Sequence, residues 1–204
     1  MAFVLLLILI AVTRVSAFEL CPKCGSIEVP YPLSTDANCG NPNYRVYCTN
    51  GSLWFLSADG FNYKILSINP SAFKLIISPP PMQKNTCQSL DLSLGGLKLD
   101  ENSPFNISTH NTVMLLNCSD NILLSPLNCS SNSPCRQFEE KVVEGRGCVN
   151  TLCCTYLKDS AMTSHRIRLR VGGCTAYTSV VDMKAGDFFE SWNYGVELQW
   201  LPPN

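Results

Sequence analysis

The chain has 204 residues, with 15 basic and 16 acidic side chains for a formal net charge of −1; only 15% of residues are charged, against 12 cysteines, 12 glycines and 13 prolines. Near-neutrality argues against a nucleic-acid binder, whose domain carries a basic surplus. The length allows one sizeable domain or two small cross-linked ones, and sparse charge with abundant Pro, Gly, Ser and Asn predicts a mainly β, loop-rich fold.

Residues 1–17 read as a secretory signal peptide, apolar from Ala2 to Val12 and closing on the small-residue exit Val15-Ser16-Ala17. The apolar run stops at Thr13-Arg14, short of the roughly 20 residues a membrane span needs. No later run is apolar enough to span, so the expectation is a secreted chain without a transmembrane segment once the leader is cleaved. Loss of Arg14 leaves 14 basic and 16 acidic side chains.

Strand character follows at Arg45 to Cys48, Leu53 to Leu56, Tyr63 to Ile68, Phe73 to Ile77, Thr112 to Cys118, Arg166 to Val171 and Val196 to Trp200, each bounded by turn-forming residues. In the last, Val196, Leu198 and Trp200 alternate with Glu197 and Gln199, which predicts one buried and one solvated face. Ser133-Pro134 supplies an N-cap and a proline at the first helical position, so a short helix is expected over 134–144.

In an oxidising compartment the cysteines read as a disulfide framework. Cys21, Cys24, Cys39, Cys48, Cys87 and Cys118 are widely spaced, whereas Cys129, Cys135, Cys148, Cys153, Cys154 and Cys174 are dense. Six and six suggests two modules, 18–118 and 119–204. Cys21-Pro-Lys-Cys24 alone would suit a zinc ligand pair, but no second pair stands at matching spacing, so neither metal nor cofactor is expected. The adjacent Cys153 and Cys154 are assigned to different partners, and the connectivity stays open. Asn-x-Ser tripeptides at Asn50, Asn106, Asn117 and Asn128 mark N-glycosylation acceptors expected on the surface.

Catalysis finds no support: His110 and His165 sit in no triad or metal motif, and the nucleophile-elbow, zincin, phosphate-loop and kinase signatures are absent. The concentrated positive feature is Arg166, Arg168 and Arg170, which at strand period share one face about 7 Å apart and could receive the carboxylates of a uronic-acid polymer. Residues 117–174 hold 7 basic and 5 acidic side chains, while 21–116 are balanced at 6 and 6. A site on the first module needs Lys23, Arg45, Lys64, Lys74 and Lys84 to gather, and Lys23 and Arg45 join the candidate ligand-binding residues. Tyr31, Tyr44, Tyr47, Trp54, Phe55, Trp192 and Tyr194 could stack on sugar rings. Most are expected in the core, with Trp54 nearest the surface.

Cys21-x-x-Cys24-Gly25, Val29-Pro30-Tyr31-Pro32-Leu33-Ser34, Cys39-Gly40 and Arg45-Val46-Tyr47-Cys48 resemble the opening of the galacturonan-binding domain of plant wall-associated receptor kinases and their kinase-like relatives. Cys148, Leu152-Cys153-Cys154, Tyr156, the Cys174-Thr-Ala-Tyr177 turn and Trp192 to Trp200 resemble the cysteine-rich module that follows it. The resemblance implies a non-catalytic ectodomain in the cell wall or apoplast that binds galacturonan, a pectin. An alternative is a protein or peptide interaction module working beside cell-surface receptors. A membrane span and a kinase domain, which full receptors of that family carry, are absent from these 204 residues.

Overall fold

The structure, a computed structural model, describes residues 19–83, 86–118, 127–128, 152–156, 173–184 and 186–203. The predicted helix over 134–144 and the Arg166 to Val171 strand lie outside them, as do the leader, Lys84, Cys129, Cys135 and Cys148. Among the described residues no helix is long and apolar enough to cross a membrane.

Eleven strands occur among the described residues, in chain order: β1 (Tyr47–Thr49), β2 (Ser52–Leu56), β3 (Asn62–Asn69), β4 (Lys74–Ile77), β5 (Phe105–Ile107), β6 (Asn111–Cys118), β7 (Leu127–Asn128), β8 (Leu152–Tyr156), β9 (Cys174–Val181), β10 (Asn193–Tyr194) and β11 (Val196–Trp200). They form one sheet in the order β1-β2-β3-β4-β11-β5 and a second in the order β10-β9-β6-β8-β7. Every named pairing is antiparallel. The segments 18–118 and 119–204 therefore share both sheets. β11 lies between β4 and β5, and β6 lies between β8 and β9. Cysteine density is a property of the sequence alone and carries no record of this exchange.

The strand segments from 45 to 77 and at 112–118 recur within a residue or two of their expected limits. Cys174-Thr-Ala-Tyr177, expected as a turn, instead begins β9, the longest partner of β6. β5 and β8 also lacked a sequence signal: β5 has three residues, all buried, so no alternation is available to reveal it. In β11 the alternation fails at Glu197, which is buried along with Val196, Leu198 and Trp200, leaving Gln199 as the exposed member.

The largest apolar cluster among the described residues joins the sheets, with Leu53, Phe55, Ile65, Leu75, Ile77 and Leu198 from the first meeting Val113, Leu115 and Tyr177 from the second. Two polar devices cross it. Asp91, fully buried in the 3-10 turn Leu90–Leu94, accepts at Oδ2 from the Tyr63 hydroxyl at 2.5 Å and from the Tyr177 hydroxyl, while Tyr177 also accepts from the Leu97 N–H at 3.1 Å. Burial, reinforced by the neighbouring carboxylate, pushes both phenols well above their usual value. Asn111 imitates a strand partner: its Oδ1 accepts from the Glu197 N–H and its Nδ2 donates to the Glu197 carbonyl, both at 2.8 Å.

Candidate functional site

The tip of the β1–β2 hairpin is Asn50-Gly51, both with positive φ (51° and 70°), the combination a two-residue primed turn requires. This turn fixes the register Thr49 with Ser52, Cys48 with Leu53 and Tyr47 with Trp54. Trp54 in turn pairs with Lys64 of β3. Because side chains alternate along a strand, Tyr47, Trp54 and Lys64 stand in one row on the outward face, while Leu53, Phe55, Tyr63 and Ile65 point inward.

Arg45 extends the row, its guanidinium carbon 5.6 Å from the centroid of the Tyr47 ring. The face thus reads cation, aromatic, aromatic, cation. Tyr47 and Trp54 line a groove of about 550 Å³ together with Thr49, Asn50, Ser52, Leu56 and Asn62. A second groove of about 370 Å³ adjoins it across Tyr47 and Leu56 and brings in Asn43, Arg45, Asn102 and Ser103. Asp100 also lines that second groove, its carboxylate accepting from the Asn102 N–H at 2.9 Å.

Two disulfides brace this face from behind. Cys21 bonds Cys39 and Cys24 bonds Cys48, so the CxxC pair reaches outward to two partners. Cys87 and Cys174 are also disulfide-bonded. Gly25 shows why the knuckle sits so close to the hairpin: a Cβ there, at φ 60°, would lie 2.3 Å from the Gly51 carbonyl oxygen. Only glycine permits that approach.

The basic residues of 21–116 do not all gather. Arg45 and Lys64 join the row and have no carboxylate within ion-pair distance among the described residues. Lys23 is exposed and pairs with Glu28 at 2.8 Å, holding that carboxyl below its usual range. Lys98 pairs with Asp59 at 3.1 Å. Lys74 lies 2.8 Å from Glu197, an ion contact rather than an aligned hydrogen bond, and 3.0 Å from His110 Nδ1. Arg166, Arg168 and Arg170 lie outside the described residues.

His110, Asp182 and Glu197 bring three ligand-type atoms within 4.8 Å of one another. The Lys74 ammonium already stands among them, where a metal ion would meet its charge, so the group reads as an ion cluster at the junction of the sheets.

Of the aromatic candidates, Tyr44, Phe55 and Trp192 are buried, Tyr31, Tyr47 and Tyr194 are exposed, and Trp54 is half-buried. The tripeptide asparagines also separate. Asn50 is exposed at the hairpin tip, and Asn117 donates its amide to Thr175 Oγ1 at 3.0 Å. Asn106 is not on the surface: it is 3% exposed within β5, because a three-residue acceptor pattern is blind to the burial of the strand that carries it. The Asn128 side chain is outside the described set.

Sequence reasoning named Tyr47, Trp54 and Lys64 separately and missed their alignment, along with Asn62 as a lining residue. The Asn50-Gly51 pair carried the signal, since a two-residue hairpin turn there forces Tyr47 opposite Trp54.

Residues 21–79 match the family described as wall-associated receptor kinase galacturonan-binding. That span contains the whole Arg45–Tyr47–Trp54–Lys64 row and the two disulfides behind it. The chain is 38% identical to wall-associated receptor kinase-like 15 of Arabidopsis thaliana over 98% of its own length and 33% of that protein. It is 39% identical to wall-associated receptor kinase-like 20 of the same plant, over 90% of this chain and 29% of that one. The chain thus spans about a third of the length of these relatives. No solved structure matches it. The kinship read from its cysteine and tyrosine spacings is shown by these matches.

Proposed function

We propose that this chain, homologous over nearly its whole length to wall-associated receptor kinase-like proteins, is a non-catalytic extracellular module that binds acidic pectin in the plant cell wall. The observation that carries the reading is the Arg45–Tyr47–Trp54–Lys64 row, two ring faces between two cations that have no acidic partner among the described residues. A galacturonic acid unit offers a ring face of C–H groups and an equally spaced carboxylate. Rings supply apolar stacking surface, and cations at either end attract the polyanion and fix its register. Disulfides behind the hairpin hold these groups in place before the ligand arrives, which limits the ordering entropy lost on binding.

The test is titration of the oxidised, secreted protein with de-esterified oligogalacturonides at low and high salt, beside Trp54→Ala, an Arg45→Gln/Lys64→Gln double variant and an Arg166, Arg168 and Arg170 triple alanine variant. Binding that weakens with salt, with Trp54→Ala and with the double variant supports the row. Loss confined to the triple variant moves the site to the second segment.

A second reading, a surface for protein partners, rests on exposed apolar side chains at Leu90 and Leu94, one turn region apart, and at Phe188. Absence of oligogalacturonide binding at low salt makes this the leading reading.

A further inference from the structure

The groove that carries Tyr47 and Trp54 begins at Asn50, the first residue of Asn50-Gly51-Ser52. Asn50 is exposed, and its side chain enters no hydrogen bond among the described residues. Cys48 and Leu53 belong to the face opposite Tyr47 and Trp54, and there the Cys24–Cys48 disulfide ties down the hairpin while Gly25 approaches it so closely that a Cβ on Gly25 would lie 2.3 Å from the Gly51 carbonyl oxygen. Asn50 itself lines the groove with Tyr47 and Trp54, so a group attached there starts from the groove's rim. The Thr49–Ser52 pair closes the hairpin, and Tyr47 and Trp54 stand two residues further on the same face, about 7 Å along the strands.

We propose that Asn50 carries an N-linked glycan whose first N-acetylglucosamine units lie over the Tyr47 and Trp54 rings, so that the groove is occupied in cis and an incoming polysaccharide must displace it. The modification forms a bond between Asn50 Nδ2 and an anomeric carbon. It breaks the bond from that carbon to the pyrophosphate of a lipid-linked oligosaccharide donor, releasing the lipid pyrophosphate and one amide proton. Sugar rings with an apolar face suit the aromatic pair whether they come from the glycan or from the wall. This regulation rests on the pectin reading for the identity of the competitor, while the seating of the glycan does not.

The structure supplies a reporter that separates the two. Trp192 is 7% exposed and Trp200 is 3% exposed, so Trp54 is the tryptophan accessible to a collisional quencher. Protein secreted with high-mannose glycans is compared intact, trimmed by an endoglycosidase after folding, and as Asn50→Gly, which removes the acceptor and keeps the positive φ accessible. Peptide mass spectrometry reads occupancy, acrylamide quenching reads Trp54 with Trp54→Phe as the blank, and titration reads oligogalacturonide affinity. The expected result is an occupied Asn50, Trp54 quenching that rises at least twofold in Asn50→Gly, and affinity that rises several-fold in step. An unoccupied Asn50, or quenching identical in intact and Asn50→Gly protein, overturns the proposal. Quenching that rises while no form binds oligogalacturonide supports the seated glycan and removes the pectin reading beneath it.

Discussion

Replacing Tyr63 with phenylalanine tests whether the Asp91 device holds the two sheets together. Asp91 is fully buried, its Oδ2 accepts from Tyr63 at 2.5 Å and from Tyr177, and its Oδ1 has no partner among the described residues, where the two phenols are its donors. A hydrogen bond to a charged group contributes about 1.5–3 kcal/mol, and its loss here also leaves the carboxylate with one donor. Tyr63→Phe should therefore cost about 2–3 kcal/mol. Tyr177→Phe should cost more, about 3–5 kcal/mol, because the Leu97 N–H loses its acceptor as well. For a domain of this size each kcal/mol moves the melting temperature by about 2–4 °C, which gives roughly 4–12 °C for Tyr63→Phe. The alkaline limb sharpens the test. Both phenols are raised by burial, so above the unfolded tyrosine value of about 10 the unfolded chain releases protons that the native chain keeps. Stability is then full below pH about 10 and falls as pH rises, by about 1.4 kcal/mol per pH unit for each tyrosine. Tyr63→Phe should lower stability at pH 7 and remove one tyrosine's share of that alkaline slope, to which Tyr44, also raised by burial, contributes as well. Denaturant unfolding followed by circular dichroism under oxidising conditions measures both. Variants within about 0.5 kcal/mol of the parent at pH 7, with unchanged alkaline slope, refute the reasoning.

Arg45→Gln and Lys64→Gln should each weaken oligogalacturonide binding up to about fivefold at low salt, the effect of an exposed charge worth up to about 1 kcal/mol, and calorimetry should show the difference vanish at high salt. Gly25→Ala, whose Cβ would meet the Gly51 carbonyl at 2.3 Å, should loosen the hairpin, read as faster limited proteolysis between residues 48 and 53. A Cys24→Ser/Cys48→Ser pair opens a link of separation 24 and should cost about 3 kcal/mol by loop entropy, measured as a fall in denaturation midpoint. Asn111→Ala strips three bonds at 2.8 Å and leaves the Glu197 N–H buried, so a loss of about 2–4 kcal/mol is expected in the same assay; a change below about 0.5 kcal/mol removes Asn111 as the tie between β6 and β11.

Local chemistry was legible in the sequence by itself. Turn-forming residues bounded the strands from 45 to 77, and the Cys21, Cys24, Cys39 and Cys48 spacings carried the kinship that the comparisons bear out. The site was half visible. Tyr47, Trp54, Arg45 and Lys64 could each be named, and the Asn50-Gly51 turn contained enough to align the first two.

What only the tertiary structure decided is every relation that depends on partners far along the chain. β11 enters the first sheet from residues 196–200, and nothing in its five residues says that β4 and β5 flank it. Glu197 reads as a solvated position by alternation, yet Lys74, His110 and Asn111 close over it. Asp91 looks like an ordinary turn acid until Tyr63 and Tyr177 arrive from different sheets. Asn50 and Asn106 open equivalent tripeptides, and only the fold makes one a hairpin tip and the other a buried strand residue. The reason is physical: turn and alternation preferences act over a few neighbouring residues, whereas burial and pairing are set by which distant surfaces exclude water together.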